Sequence, residues 1–199
     1  MRREDAARQL IVMKSAELFN VKGYAATSIQ DIMEATGLTK GAVYRRFPSK
    51  DEIAGEAFDY AGRVLMEQVT SAVGRADTAI DKIMAICHVH VDPVNHPPIK
   101  GGCPLLNTAV ECDDTMPILR EKALAAYQEL LRLVQGILEQ GVSAGEIRGD
   151  ADLEALSSFI VSSLEGSVMA SRLSRDSKHV GIVMRQLRVL LSTYTPRKE

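Results

Sequence analysis

Between Leu38 and Lys50 the chain reads Thr39-Lys40-Gly41-Ala42-Val43-Tyr44-Arg45-Arg46-Phe47-Pro48-Ser49, basic at several positions and free of acids. Side chains of these kinds suit one chemistry above others. Lysine and arginine meet phosphate oxygens, and arginine also forks onto the edge of a guanine. A tyrosine offers its hydroxyl to a phosphate and its ring to a thymine methyl, and Gly41 lets a helix come close to a duplex. Thr39, Lys40, Gly41, Tyr44, Arg45 and Arg46 are therefore candidate nucleic-acid contacts. On the residues alone, a solvated basic helix face fits the same pattern equally well.

Other reactive groups form weaker sets. Cys103 precedes Pro104 at a predicted helix start, where free amides and the helix dipole favour thiolate; a small packed residue is the alternative. Cys87, His88, His90 and His96 fall close together, but a helix turns His88 and His90 to different faces and no zinc spacing emerges. No nucleophile elbow, phosphate loop or acid–base set is present. The sequence thus predicts no catalytic residue, no metal and no cofactor, and a binding protein rather than an enzyme.

These residues must be held by a scaffold, and composition bounds it. The chain has 199 residues, 46% of them hydrophobic, enough to bury a substantial core. No run approaches the roughly 18 apolar residues of a membrane span, and Met1-Arg2-Arg3-Glu4-Asp5 does not open a signal peptide. Three cysteines without paired spacing suit a reducing compartment, so a soluble cytoplasmic protein is expected. Residues 1–50 carry nine Lys/Arg against five Asp/Glu, net +4, while the rest carry 15 against 21, net −6. A basic head on an acidic body suits a polyanion partner at one end.

Helical periodicity runs throughout and strand-like alternation is nearly absent. The expected fold is all-α, with about nine helices. A first helix covers about 5–21, with Leu10, Met13, Ala16, Leu18 and Phe19 apolar, and Gly23 stops it. Two short helices, about 28–35 and 39–47, flank a turn at Gly37, with Ile29, Ile32, Met33, Leu38, Val43 and Phe47 as their mutual contacts. Ser49 and Glu52 predict a capping box for a long helix reaching about Arg75. Further helices are expected at about 78–91, 104–111, 117–140 (closed by Gly141), 152–173 and 178–194, with a frayed tail from Thr195.

The run Ala16-Glu17-Leu18-Phe19, Lys22-Gly23-Tyr24, Thr27-Ser28-Ile29-Gln30-Asp31-Ile32, Thr36-Gly37-Leu38-Thr39-Lys40-Gly41, Val43-Tyr44 and Phe47-Pro48-Ser49-Lys50-Asp51 closely resembles the DNA-binding head of TetR-family regulators over about residues 8–60. The resemblance implies a helix-turn-helix domain over 1–50, with the motif at about 28–47. It also implies an effector-binding and dimerisation domain over 51–199. It places Thr39, Lys40, Gly41, Tyr44 and Arg45 at operator-facing positions, gives Thr27, Tyr44 and Lys50 phosphates to anchor, and makes Arg2 and Arg3 a flexible arm. Arg45 departs from the His or Tyr common there, so operator preference does not transfer.

The segment Lys100-Gly101-Gly102-Cys103-Pro104 resembles a branch of the family with a Gly-Cys pair opening the sixth helix. Candidate effector residues are Met66, His90, Cys103, Asn107, Glu111 and Tyr127, each of which reads equally well as plain core. Leu156, Phe159, Ile160 and Leu164 on one late helix, and Val183, Leu187 and Leu190 on the next, read either as protomer core or as an oligomer face. The resemblance favours a homodimer on a palindromic double-stranded operator, with a small-molecule effector that shifts the spacing of the heads. The rival reading is an effector-independent architectural or adaptor protein.

Overall fold

A computed structural model describes residues 3–196. Among these residues it forms nine helices and no strand: α1 (Arg3–Lys22), α2 (Ile29–Thr36), α3 (Lys40–Tyr44), α4 (Lys50–Val73), α5 (Ala79–Val89), α6 (Pro104–Cys112), α7 (Pro117–Ser143), α8 (Leu153–Ser174) and α9 (Lys178–Ser192). Arg2 and the side chain of Arg3, expected as an arm, lie outside the described residues, as do positions 197–199 of the expected tail. The chain forms two compact units. The residues up to Leu65 join Ile99–Ala126 in the first, and Met66–Pro98 joins the residues from Tyr127 onward in the second.

In the first unit the stop signals lie where glycine is needed. Gly23 takes φ +85° and Gly37 φ +69°, and each donates its N–H back into the helix it ends, to Phe19 and Met33. The α2 start is capped from both sides: Ser28 accepts the Asp31 amide while the Asp31 carboxylate accepts the Ser28 amide, a reciprocal box. Thr39 caps α3 through the Ala42 amide, and the chain tightens through Arg46 and Phe47 before Pro48. Ser49 accepts the Glu52 amide at the start of α4.

Ile32, Val43, Phe47 and Ile53 are fully buried together with Ile11, and Ile29, Met33 and Leu38 pack on them. This single cluster fixes α2 and α3 against α1 and the start of α4. Of the apolar positions of α1, Ile11, Val12 and Ala16 are buried, whereas Met13 is 45% exposed. Complete burial of a side chain such as Phe47 contributes about 2–3 kcal/mol.

In the second unit α8 and α9 pack against each other, and α5 lies on α9. Gly141 does not close α7. It sits inside the helix, where an added Cβ would fall 2.6 Å from the Ala79 Cβ, and the left-handed turn is made four residues later by Gly145 at φ +72°. Gly141 serves close approach and Gly145 serves the stop.

A candidate nucleic-acid interface

The helix α3 presents Thr39, Lys40, Gly41, Tyr44 and Arg45 to solvent on one surface of the first unit. The Lys40 ammonium lies 5.9 Å from the centre of the Tyr44 ring, so a cation and an aromatic hydroxyl are offered side by side. Behind this face Val43 and Phe47 lock the helix into the core. A short helix so anchored holds its outward side chains in a fixed frame, as groove recognition requires.

Three further expected contacts have partners within the protein. Arg46 is half-buried and donates from one guanidinium nitrogen back to α3 at Ala42 O (2.8 Å). Its carbonyl accepts Arg8, whose guanidinium lies 4.1 Å over the Phe47 ring and pairs with Glu56. Thr27 is completely buried, and its hydroxyl donates to Gly23 O at 2.7 Å. The Lys50 ammonium donates to Tyr24 O (2.7 Å) and Thr27 O (2.8 Å) and sits 4.0 Å above the Tyr24 ring.

Lys50 therefore ties α4 to the turn between α1 and α2. Lys50→Ala is expected to lower the unfolding free energy by about 1–3 kcal/mol, the loss of two charge-assisted bonds. The salt dependence of DNA binding should stay the same. A salt slope shallower by about one unit would instead give Lys50 a phosphate of its own.

The same turn is fixed on other sides. Tyr24 donates its hydroxyl to Asp51, and burial followed by that carboxylate pushes the phenol far above its ordinary range, so it stays protonated. Lys22 pairs with Asp31 at 2.5 Å; this contact, with the Ser28 hydroxyl and amide, holds the Asp31 carboxyl well below the usual range.

Residues 11–57 match the family described as bacterial regulatory proteins, tetR family, and residues 79–187 match the tetracyclin repressor-like C-terminal domain. A TetR transcriptional regulator from Chloroflexus aurantiacus is similar over 98% of both chains, with 38% identity and a TM-score of 0.93. The chain belongs to the TetR family. The HTH-type transcriptional repressor DhaR of a Mycobacterium species is 24% identical over 85% of this chain and 84% of its own length. A cysteine variant of the TetR regulator CifR, complexed with 26-bp operator DNA, shares the fold at a TM-score of 0.81 and 20% identity, covering 90% of this chain and 94% of that one. TetR proteins are transcription regulators, and this chain is a DNA-binding one of that type.

The expected effector residues of this TetR protein divide between the units. Met66, His90 and Tyr127 belong to the second, and Cys103, Asn107 and Glu111 to the first. Met66 and Tyr127 are half-buried. His90 is 5% exposed, and burial pushes its pKa down to about 4, so the ring is neutral. Cys103 is the N-cap residue of α6 and is buried, and burial pushes the Cys87 thiol up to about 12.

Asn107 and Glu111 are engaged with the head. Asn107 Nδ2 donates to Asn20 Oδ1 (2.7 Å), Asn20 O (3.1 Å) and Gly101 O (3.0 Å). The two Glu111 oxygens accept the backbone N–H groups of Tyr24 (2.7 Å) and Ala25 (2.8 Å). The cavity beside them, bordered by Phe19, Tyr24, Ala57 and Phe58, measures about 30 Å³. That is room for a water molecule and not for an organic effector. The sequence reading missed this role for Glu111, because its partners lie 86 and 87 positions away.

The expected dimer residues separate by burial. Leu156, Ile160, Leu164 and Leu187 are buried within the protomer, Val183 and Leu190 are half-buried, and Phe159 is 54% exposed. The first four supply the protomer's own core, which removes them from any outer face. The exposed apolar side chains of α8 and α9 are Phe159, Met169, Leu173, Ile182 and Val189. On α8 they fall with Ser162 and Gly166 at steps of three to four residues, a stripe of one helix face.

Proposed function

We propose that this regulator is a repressor that works as a homodimer on a palindromic operator. A small-molecule or thiol-reactive effector bound in the body releases it. Residues 1–50 form the DNA-binding domain in this reading, and residues 51–199 the effector-binding and dimerisation domain, within the cytoplasm. The observation that carries it is the acid-free outer face of α3, with Thr39, Lys40, Gly41, Tyr44 and Arg45 exposed over a fully buried anchor. Thr27, Arg46 and Lys50 support that face from behind. The repressor name of DhaR and the operator complex of CifR agree in direction.

The exposed stripe from Phe159 to Leu173, with Ile182 and Val189 on α9, serves as the dimer face, since an apolar face of this kind is buried when a second copy covers it. Effector contacts fall to Met66, His90 and Tyr127 in the second unit and to Cys103 at the start of α6. The Gly102-Cys103-Pro104 opening of α6 supports membership of the Gly-Cys branch. Effector binding favours a spacing of the two heads that fits two half-sites less well, with a coupling of about 1–3 kcal/mol.

Fluorescence anisotropy with labelled DNA from the protein's own upstream region, against scrambled DNA over a salt series, tests the reading. Selective binding is expected for the wild-type chain. Lys40→Ala and Tyr44→Ala should each weaken it by about tenfold, and Lys40→Ala should also flatten the salt slope by about one unit. Equal affinity for scrambled DNA would sink the repressor reading.

A further inference from the structure

The strongest unassigned feature is a set of polar contacts by which α6 and the loop before it grip the end of α1 and the turn after it. Asn20 Nδ2 donates to Lys100 O and Gly102 O, each at 3.0 Å, while Asn107 Nδ2 returns bonds to the Asn20 carbonyl and side chain. One helical turn further along α6, Glu111 accepts two consecutive backbone amides, those of Tyr24 and Ala25. The fit is close, for a Cβ added at Gly23 would lie 2.8 Å from Glu111 Oε2.

These amides belong to the turn that sets where α2 begins. Helix α4 holds the same turn from its other groups, through Lys50 at the Tyr24 and Thr27 carbonyls and Asp51 at the Tyr24 hydroxyl. The peptide group of Tyr24 is thus shared: its N–H goes to α6 and its C=O to α4. Where α2 starts fixes where α3 lies, since both sit in one core cluster with Ile11 and Phe47.

We infer that Glu111 is a positioning residue for operator recognition: through its carboxylate, the placement of α6 sets the α1–α2 turn and hence the reading helix. The inference rests on the repressor reading above and names the contact through which a change in the body reaches the head. When α6 is held against α1, two charge-assisted bonds hold the turn in its reading geometry. When α6 moves away, both are lost at once, and Tyr24 and Ala25 are left to solvent.

The test uses the full chain with Glu111→Ala and Glu111→Gln, and Val134→Ala as a control. Val134 is fully buried in the second unit, whereas the turn belongs to the first. Three quantities are read: amide exchange at Tyr24 and Ala25, unfolding by urea, and operator affinity across salt at a temperature where every variant is folded. In Glu111→Ala both amides should exchange at least tenfold faster, and operator binding should weaken about tenfold with the salt slope unchanged, because no phosphate contact is lost.

Glu111→Gln keeps one acceptor oxygen and should fall between. Val134→Ala, although less stable, should bind within twofold of the wild type, which separates positioning from plain stability. Faster exchange in Glu111→Ala with unaltered affinity would overturn the inference, and so would unchanged exchange. Those outcomes leave the repressor reading intact. Wild-type protein with no preference for its operator would instead sink that reading and the inference with it.

Discussion

Gly101→Ala is expected to lower the unfolding free energy by about 3–5 kcal/mol, and the melting temperature by roughly 10 °C for a chain of this size. Two costs add. Gly101 adopts φ +110°, a conformation from which a Cβ is nearly excluded. The Cβ would also lie 2.4 Å from the carbonyl oxygen and 2.7 Å from the carbonyl carbon of Asn20. Backbone atoms at the end of α1 cannot swing aside as the tip of a lysine can, so the loop before α6 must lift off. Lifting it strains the Asn20–Asn107 contacts described above, and operator affinity should fall together with stability.

Gly136→Ala provides the contrast, since that glycine is inside α7 with nothing within 4 Å of an added Cβ. There alanine should be neutral or stabilise by up to about 1 kcal/mol. Thermal unfolding of the two variants decides the matter, and equal melting temperatures would show that the loop before α6 does not approach the end of α1 this closely in solution.

Much of the head was legible because its signals are local. Gly23 and Gly37 must be where the chain takes a left-handed turn, Thr39 must precede α3, and the apolar side chains from Ile29 to Phe47 have no second surface to cover. Signals that act over distance were not legible. Glu111 and Asn107 are polar residues on an amphipathic helix, a pattern that suits a ligand pocket and a backbone clamp alike. Only the fold brings the end of α1 within their reach. Lys50 presented the same ambiguity, as a cation beside α3 whose ammonium goes to two carbonyls of its own chain, those of Tyr24 and Thr27.

The late helices stayed open between two readings for a different reason. Leu156, Ile160 and Leu164 share α8 with Phe159, Met169 and Leu173, so the helix is apolar on two sides and hydrophobicity alone does not say which side faces inward. Burial makes the division: the first three are core and the other three are surface. Gly141 suggests a helix stop in the sequence because glycine often is one. Here the Ala79 methyl needs the space, and Gly145 makes the turn.

Acid should weaken the second unit through His90, in a window above the one set by the depressed Asp carboxyls. His90 is the C-cap residue of α5 and is almost wholly buried, and burial alone depresses its pKa to about 4 against about 6.5 for an exposed imidazole. Above pH 7 the ring is neutral in both states and contributes nothing to pH dependence. As pH falls through about 6.5 the unfolded chain takes up a proton that the folded chain refuses, so the native state loses ground until about pH 4, where the folded ring also titrates. The gap of about two and a half units corresponds to roughly 3 kcal/mol.

Asp31, Asp81, Asp92 and Asp176 behave oppositely: hydrogen bonds and nearby cations depress them, so their contribution is present above about pH 4 and is lost only below it. Urea unfolding of the wild type and of His90→Gln at half-unit steps from pH 7.5 to 4 separates the two. The wild-type curve should fall relative to the variant by about 3 kcal/mol across that range, with most of the fall between pH 6.5 and 4.5. Parallel curves would mean that water reaches the imidazole and that the α5 C-terminus is open in solution. A burial this complete also means that any effector touching His90 meets a neutral ring, able to donate one hydrogen bond and accept another but not to pair with an anion.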